Sequence, residues 1–219
     1  MMKTQKRLLL LLKSLIPLIN KRICIVLLAA LLFSGCEKTM SVLYGVRNID
    51  KFEQERCDDF AASVVRESIS LSALVSDSLQ FVAYWNLFAD TLWKRTAVQP
   101  VQILYFMGDT LVSYHVNCYA KGGMASLDWN TDNRFGQFPP QSAVPLTTLQ
   151  LSFPQIAELY GVEAKKDLKI VVFWTNMLTK ISKSAVNAAL DNVEKHGKDK
   201  ECEVFIINTD KFFINAQKR

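Results

Sequence analysis

The stretch Leu168–Trp174 reads Leu-Lys-Ile-Val-Val-Phe-Trp, and a second apolar run, Val204–Asn208, follows about 30 residues later. Short, β-branched and aromatic runs of this kind are the signature of buried strands. Between them Val186, Ala189, Leu190 and Val193 fall at i, i+3, i+4 and i+7, the stripe of an amphipathic helix. Ser182 or Ser184 is the expected cap of that helix, and Gly197 its stop. Two buried strands with a helix between them form a parallel βαβ unit, because parallel neighbours need a long crossover. That unit constrains the chain most strongly: it demands an α/β fold, a sheet flanked by helices.

The remainder is patterned less evenly. Val101–Met107 and Thr110–Val116 flank Gly108-Asp109, a hairpin signal. Cys57, Phe60, Ala61 and Val64 mark one face of a helix capped at Asp50. Leu79–Trp85 reads as a buried strand followed by a short helix through Trp93, and Phe153–Tyr160 as a helix. Residues 37–48 read as a tether whose Ser-Val-Leu-Tyr-Gly-Val joins the domain as a short strand. Residues 119–145 have no regular period, yet contain Gly122-Gly123, Trp129, Phe135, Phe138 and Pro139-Pro140. So long an irregular segment in a compact domain points to a functional or partner-facing loop. Its aromatics either dock a partner or cover the core.

At the N-terminus, Lys21 and Arg22 precede 11 apolar residues, Ile23 to Phe33, and then Ser34, Gly35 and Cys36. A charged flank, a short apolar stretch and small residues make a signal peptide. The run is too short to cross a bilayer, which takes roughly 20 residues. Leucine-rich segments before it are interrupted by Lys13, Pro17 and Asn20. The sequence Leu32-Phe33-Ser34-Gly35-Cys36 resembles the lipobox of bacterial lipoproteins. The resemblance implies that residues 1–35 are removed and that Cys36 carries a diacylglyceryl group on sulfur and an acyl group on its new amine. It divides the chain into a signal peptide (1–35), a lipidated N-terminus and tether (36–48) and a domain (49–219). Several acyl chains on Cys36 anchor stably in membrane lipid where one does not. Glu37 follows in place of the aspartate that signals inner-membrane retention, so the expected site is the cell envelope's outer membrane, on its periplasmic side or at the cell surface.

Charge agrees with an export segment. The whole chain is +5, but residues 1–35 hold six Lys/Arg and no acid, which leaves 20 basic against 21 acidic residues in the mature chain. A mature chain of that balance lacks the positive footprint that nucleic-acid binding requires.

Ile170-Val-Val-Phe-Trp174 followed by a helix resembles the strand and active-site helix of the thioredoxin-like fold. There a Phe-Trp pair ends the strand and Cys-x-x-Cys opens the helix at the fourth position after Trp. The matching positions are Leu178 and Ile181, neither of which can form the thiolate that attacks a disulfide. Gln99-Pro100 resembles the proline segment that faces that site, although it precedes the βαβ unit here where the family places it after, implying a permuted or elaborated version. Leu43-Tyr-Gly-Val-Arg-Asn48, Pro100–Cys118, Leu127-Asp-Trp129, Phe135–Pro140, Val172-Phe-Trp174 and Asn208-Thr-Asp210 are together similar to uncharacterised thioredoxin-like lipoproteins of Bacteroidetes. That resemblance supplies no catalytic residue. The reading it favours is a redox-inactive thioredoxin-like lipoprotein, a binding or assembly module of the envelope with a protein partner at 119–145, in preference to an enzyme.

The other chemistry-bearing residues are sparse. Cys57 and Cys202 lie on apolar faces and read as small buried hydrophobes. Cys118 ends a strand beside the irregular segment and is the candidate for the alternative function, a thiol-dependent oxidoreductase or redox sensor, with Lys121 the nearest cation. A Cys118–Cys202 disulfide is conceivable if the two strand ends meet. His115 and His196 lack metal-ligand spacing, and Asp58-Asp59, Asp128 and Asp132 read as solvated carboxylates. Gly122-Gly123 lacks the lysine and spacing of a phosphate loop, and Gly-x-Ser-x-Gly is absent. No cofactor, metal or catalytic residue is therefore assigned.

Overall fold

The computed structural model describes residues 46–88, 91–118, 120, 128–146, 149 and 151–217, with side chains left aside at 91–93. The expected signal peptide, Cys36, most of the expected tether and Gly122-Gly123 lie outside the described residues. The elements run α1 (Gln54–Ala62), β1 (Ser70–Val75), α2 (Ser78–Asn86), α3 (Thr91–Ala97), β2 (Gln102–Met107), β3 (Thr110–Val116), a 3-10 segment (Thr131–Gly136), α4 (Phe153–Tyr160), β4 (Leu168–Trp174), α5 (Thr179–Lys195), β5 (Cys202–Asn208) and α6 (Asp210–Gln217).

The strands form one five-stranded mixed sheet in the order β1-β5-β4-β2-β3. β4 and β5 are parallel, with Leu168 opposite Cys202 and Trp174 opposite Asn208, as the βαβ reading requires. β1 adds in parallel to β5, and β2 runs antiparallel to β4 with Gln102 opposite Phe173. The β2–β3 hairpin carries a bulge after Tyr105, where Val112 is the extra residue between Leu111 and Ser113. The fold is α/β, a mixed sheet flanked by helices and compatible with the thioredoxin-like class. Its hairpin pairs with the first strand of the βαβ unit although it comes before that unit in the chain.

Alternation along β4 sends Ile170, Val172 and Trp174 to one face and Val171 and Phe173 to the other. The first face packs on α1, α5 and the 3-10 segment through Phe60, Val186, Leu190, Trp129 and Phe135. The second packs on α2, α4 and α6 through Phe81, Tyr84, Ile156 and Phe212. Every residue of β4 is buried, which explains why this strand reads so plainly from sequence.

Three local expectations are corrected. Residues 79–85 form α2, not a strand. Asp77 accepts from Gln80 N (2.7 Å) while Gln80 Oε1 accepts from Asp77 N (2.9 Å), a reciprocal capping box. That cap closes two free amides, and Phe81 and Tyr84 then share one buried helical face. Helix α1 starts at Gln54 after Glu53, not at Asp50. Helix α5 starts at Thr179, so Ser182 lies within its first turn. There Ser182 Oγ accepts from Thr175 N (3.1 Å) and donates to Thr175 O (2.9 Å), tying the helix back to the strand it leaves. Gly197 does end the helix, at φ +63, a left-handed turn that glycine adopts without a Cβ clash. Strand β1, Ser-Leu-Ser-Ala-Leu-Val, and helix α6 went unread.

Candidate functional site

Parallel β4 and β5 finish side by side at Trp174 and Asn208, and α5 and α6 begin there. This junction is where the thioredoxin resemblance places thiol chemistry. Leu178 occupies the N-cap position of α5 and Ile181 its first turn, both half-buried and packed on the first core. Val46 pairs antiparallel with Leu178, and Arg47 N donates to Met177 O (2.8 Å). Val46 and Arg47 thus meet the loop that would present the cysteine through one isolated bridge and one backbone bond. The antiparallel register of β2 against β4 brings the Gln99-Pro100 entry to the same end of the sheet.

Beneath this loop lies a buried carboxylate that the sequence reading did not single out. Asp210, 3% exposed, opens α6. Its Oδ1 accepts from Thr175 Oγ1 (2.6 Å) and Asn176 N (2.8 Å), its Oδ2 from Asn176 Nδ2 (2.8 Å). Asp210 N donates to Asn208 Oδ1 (3.0 Å). Charge-assisted bonds of this kind hold the β4–α5 loop to the start of α6. Within Asn208-Thr-Asp210 the polar run after a buried strand is the one signal that marked it.

The cysteines are placed far apart. Cys57, buried on α1, meets Asn176 Nδ2 at 3.9 Å; burial, then the Asp210 charge, pushes its thiol up to about 12. Burial likewise pushes Cys202 up to about 12, against a smaller pull from Lys166. Cys118 is exposed, yet desolvation still raises its thiol, with Arg95 opposing. All three are free thiols. A Cys118–Cys202 bridge is excluded by topology. Cys118 follows Val116, which is level with Phe173, whereas Cys202 is level with Leu168 three strands away. At about 3.3 Å per residue and 4.8 Å per strand the two sit well beyond the roughly 7 Å limit for a disulfide.

A second place of interest is a cleft of about 530 Å³ between residues 128–135 and α5. Trp129, Phe135 and Ala188 give it apolar wall; Asp128, Asn130, Ser184, Asn187, Asp191 and Lys195 give it polar rim. The irregular segment is anchored from below by Asn192, whose Nδ2 donates to Phe135 O (3.1 Å) and Gln137 O (3.0 Å). Asp128 Oδ1 accepts from Asn130 N, and Asn130 Oδ1 from Phe135 N, which fold the chain back so that Asp132 and Asn133 take left-handed φ of 59 and 54. Trp129 and Phe135 are buried and Phe138 packs at the edge of the first core, so the first two of these aromatics face inward.

No known family, curated protein or solved structure matches this chain. The site must therefore be read from its own atoms. Among the described residues no three of His, Cys, Asp and Glu gather to hold a metal ion, and no helix is long and apolar enough to cross a membrane. Asp58 and Asp59 are exposed on α1, Asp58 accepting from Gln54 Nε2 (2.9 Å). His196, at the end of α5, lies 6.3 Å from the Phe138 ring, whereas His115 is on β3.

His115 is 1% exposed, with Nε2 2.9 Å from Ser113 Oγ and its ring 4.8 Å from Phe135. Burial, aided by the Arg134 charge, lowers its pKa to about 3. The folded protein therefore refuses a proton that the unfolded chain takes up below pH ~6.5. Stability from this residue is whole above that pH and is lost as pH falls toward 3, by about 1.4 kcal/mol per unit. Between pH 7 and pH 5 the wild type should lose about 2 kcal/mol more than His115→Gln, read by urea denaturation at both pH values. Equal losses would refute the burial account.

Proposed function

We propose that this protein is a lipid-anchored lipoprotein of the bacterial cell envelope whose thioredoxin-like domain binds rather than exchanges thiols. The observation that carries the reading is the β4–α5 junction. The positions matching the two thioredoxin thiols hold Leu178 and Ile181, Val46 pairs with Leu178, and Arg47 N donates to Met177 O. The thiol described beside it, Cys57, is buried and held protonated, which makes it a poor nucleophile. Cys36 holds the chain to membrane lipid, and residues 119–145 offer the surface to a partner, its described part presenting Asp128 and Asn130 beside α5. An exposed Cys118 is the observation behind the alternative, an envelope oxidoreductase or redox sensor.

One experiment addresses both halves. Membranes of the host are treated briefly with iodoacetamide at neutral pH, and the intact protein is extracted and weighed. The expected mass begins at Cys36, carries acyl groups, and shows slow modification at a single site, Cys118. A full-length mass without lipid would overturn the anchor. Labelling of Cys118 as fast as an activated thiolate would overturn the binding reading and favour the redox one.

A further inference from the structure

We propose that this protein pairs with a second copy of itself through the outer edge of β1, the two strands running antiparallel so that one sheet continues across both chains. The sheet order makes β1 and β3 its two edges. The fold closes the second of them. Thr110, at the start of β3, bridges to Ser152. Tyr114 is bonded by residues 142–144: its N–H donates to Ser142 Oγ (2.9 Å), and its carbonyl accepts from Ala143 N and Val144 N (both 3.0 Å). A bulge also interrupts the β2–β3 pair. Cover and bulges of this kind keep an edge from pairing with another chain.

The edge at β1 has neither. The strand pairs with β5 in unbroken register, from Ser70 opposite Glu203 to Val75 opposite Asn208, and no described residue bonds to its other side. Ser70-Leu-Ser-Ala-Leu-Val75 also lacks the charge or proline that guards an open edge, and Ser70, Ser72 and Ala73 are exposed. Backbone donors and acceptors left open along an extended strand are complemented by a second extended strand.

Three features make β1 of another copy the matching strand. A neutral strand laid against itself meets no like charge. Alternation sends Leu71, Ala73 and Val75 to the side of the first core, on which Leu71 and Val75 pack. With Ala73 opposite the partner's Ala73, Leu71 stands opposite the partner's Val75, apolar against apolar about a two-fold axis. Antiparallel pairing also sets the start of one β1 beside the end of the other. Val65, shortly before β1, is 59% exposed, and Leu79, shortly after it on α2, is 79% exposed. The two-fold axis brings Val65 of one copy and the partner's Leu79 to the same end of the seam, and does so at both ends.

The test is sedimentation equilibrium of the full chain, as the host makes it, in density-matched detergent. The wild type should weigh as two chains. Ala73→Lys and Ala73→Glu, changes at an exposed position, should each weaken the dimer about tenfold or more, because like charges meet at the axis. Mixing the two variants in equal amounts should restore it, and both should keep the far-UV circular dichroism of the wild type. A wild type that stays a single chain at every concentration, variants that dimerise as tightly as the wild type, or a mixture that does not recover would each overturn the proposal. So would a complex with another host protein in place of the dimer. None of these touches the binding-module reading, which fails instead if the same preparation reduces disulfides.

Discussion

Asp210→Ala is expected to cost about 3–5 kcal/mol, because it strands three buried donors that each cost roughly 1–3 kcal/mol when unpaired. Those donors are Thr175 Oγ1, Asn176 N and Asn176 Nδ2, all within 2.8 Å of the carboxylate. Thr175 is fully buried and Asn176 is 7% exposed, so solvent reaches them poorly once the carboxylate is gone. For a domain of this size the melting temperature should fall by about 10 °C or more. Asp210→Asn keeps one acceptor oxygen and should fall between the two. The damage should be local in origin: the β4–α5 loop is held by this carboxylate, so amide exchange at 175–178 should rise first. A loss below about 1 kcal/mol would mean that water replaces the carboxylate.

The second large effect belongs to Gln102, the first residue of β2 and fully buried. Its Oε1 accepts from Tyr84 Oη (2.7 Å) and Tyr114 Oη (2.6 Å), and its Nε2 donates to Ala97 O (2.8 Å) and Gln99 O (2.7 Å). Four elements, α2, α3, β2 and β3, thus meet on one amide. Gln102→Leu keeps the bulk and removes all four bonds, and should cost about 3–5 kcal/mol in urea unfolding. Adding Tyr84→Phe and Tyr114→Phe to Gln102→Leu should restore part of that loss, since the two stranded hydroxyls go with their partner. A triple variant no better than Gln102→Leu would show that packing, not satisfaction of the hydroxyls, sets the cost.

What could be read in advance follows from burial. β4, α5 and the β2–β3 hairpin have strong apolar periods because their neighbours cover them on the faces those periods define. β1 has no such period: its residues are exposed or half-buried at the edge of the sheet, and only pairing with β5 makes them a strand. Residues 79–85 suggest a strand by their aromatic and β-branched content, while the decisive signal for α2 is the three-residue spacing from Asp77 to Gln80. The candidate site was legible as an absence, the missing thiols at 178 and 181. Its positive features were not. Asp210 meets Thr175 across 35 residues of sequence, and Asn192 meets Phe135 across 57. Such pairs carry no local pattern.

The sequence by itself determined the βαβ unit, the hairpin, the lack of redox cysteines at the thioredoxin positions and the charge balance of the chain without its first 35 residues. These are properties of residue type and spacing along one strand or helix. Only the tertiary structure decided that the hairpin pairs with β4, that Val46 pairs with Leu178, that Cys118 and Cys202 sit at opposite ends of the sheet and that a cleft opens beside Trp129. Each of these depends on which distant segments are brought together, and the free energy that chooses them is shared across the whole core rather than written in any one segment.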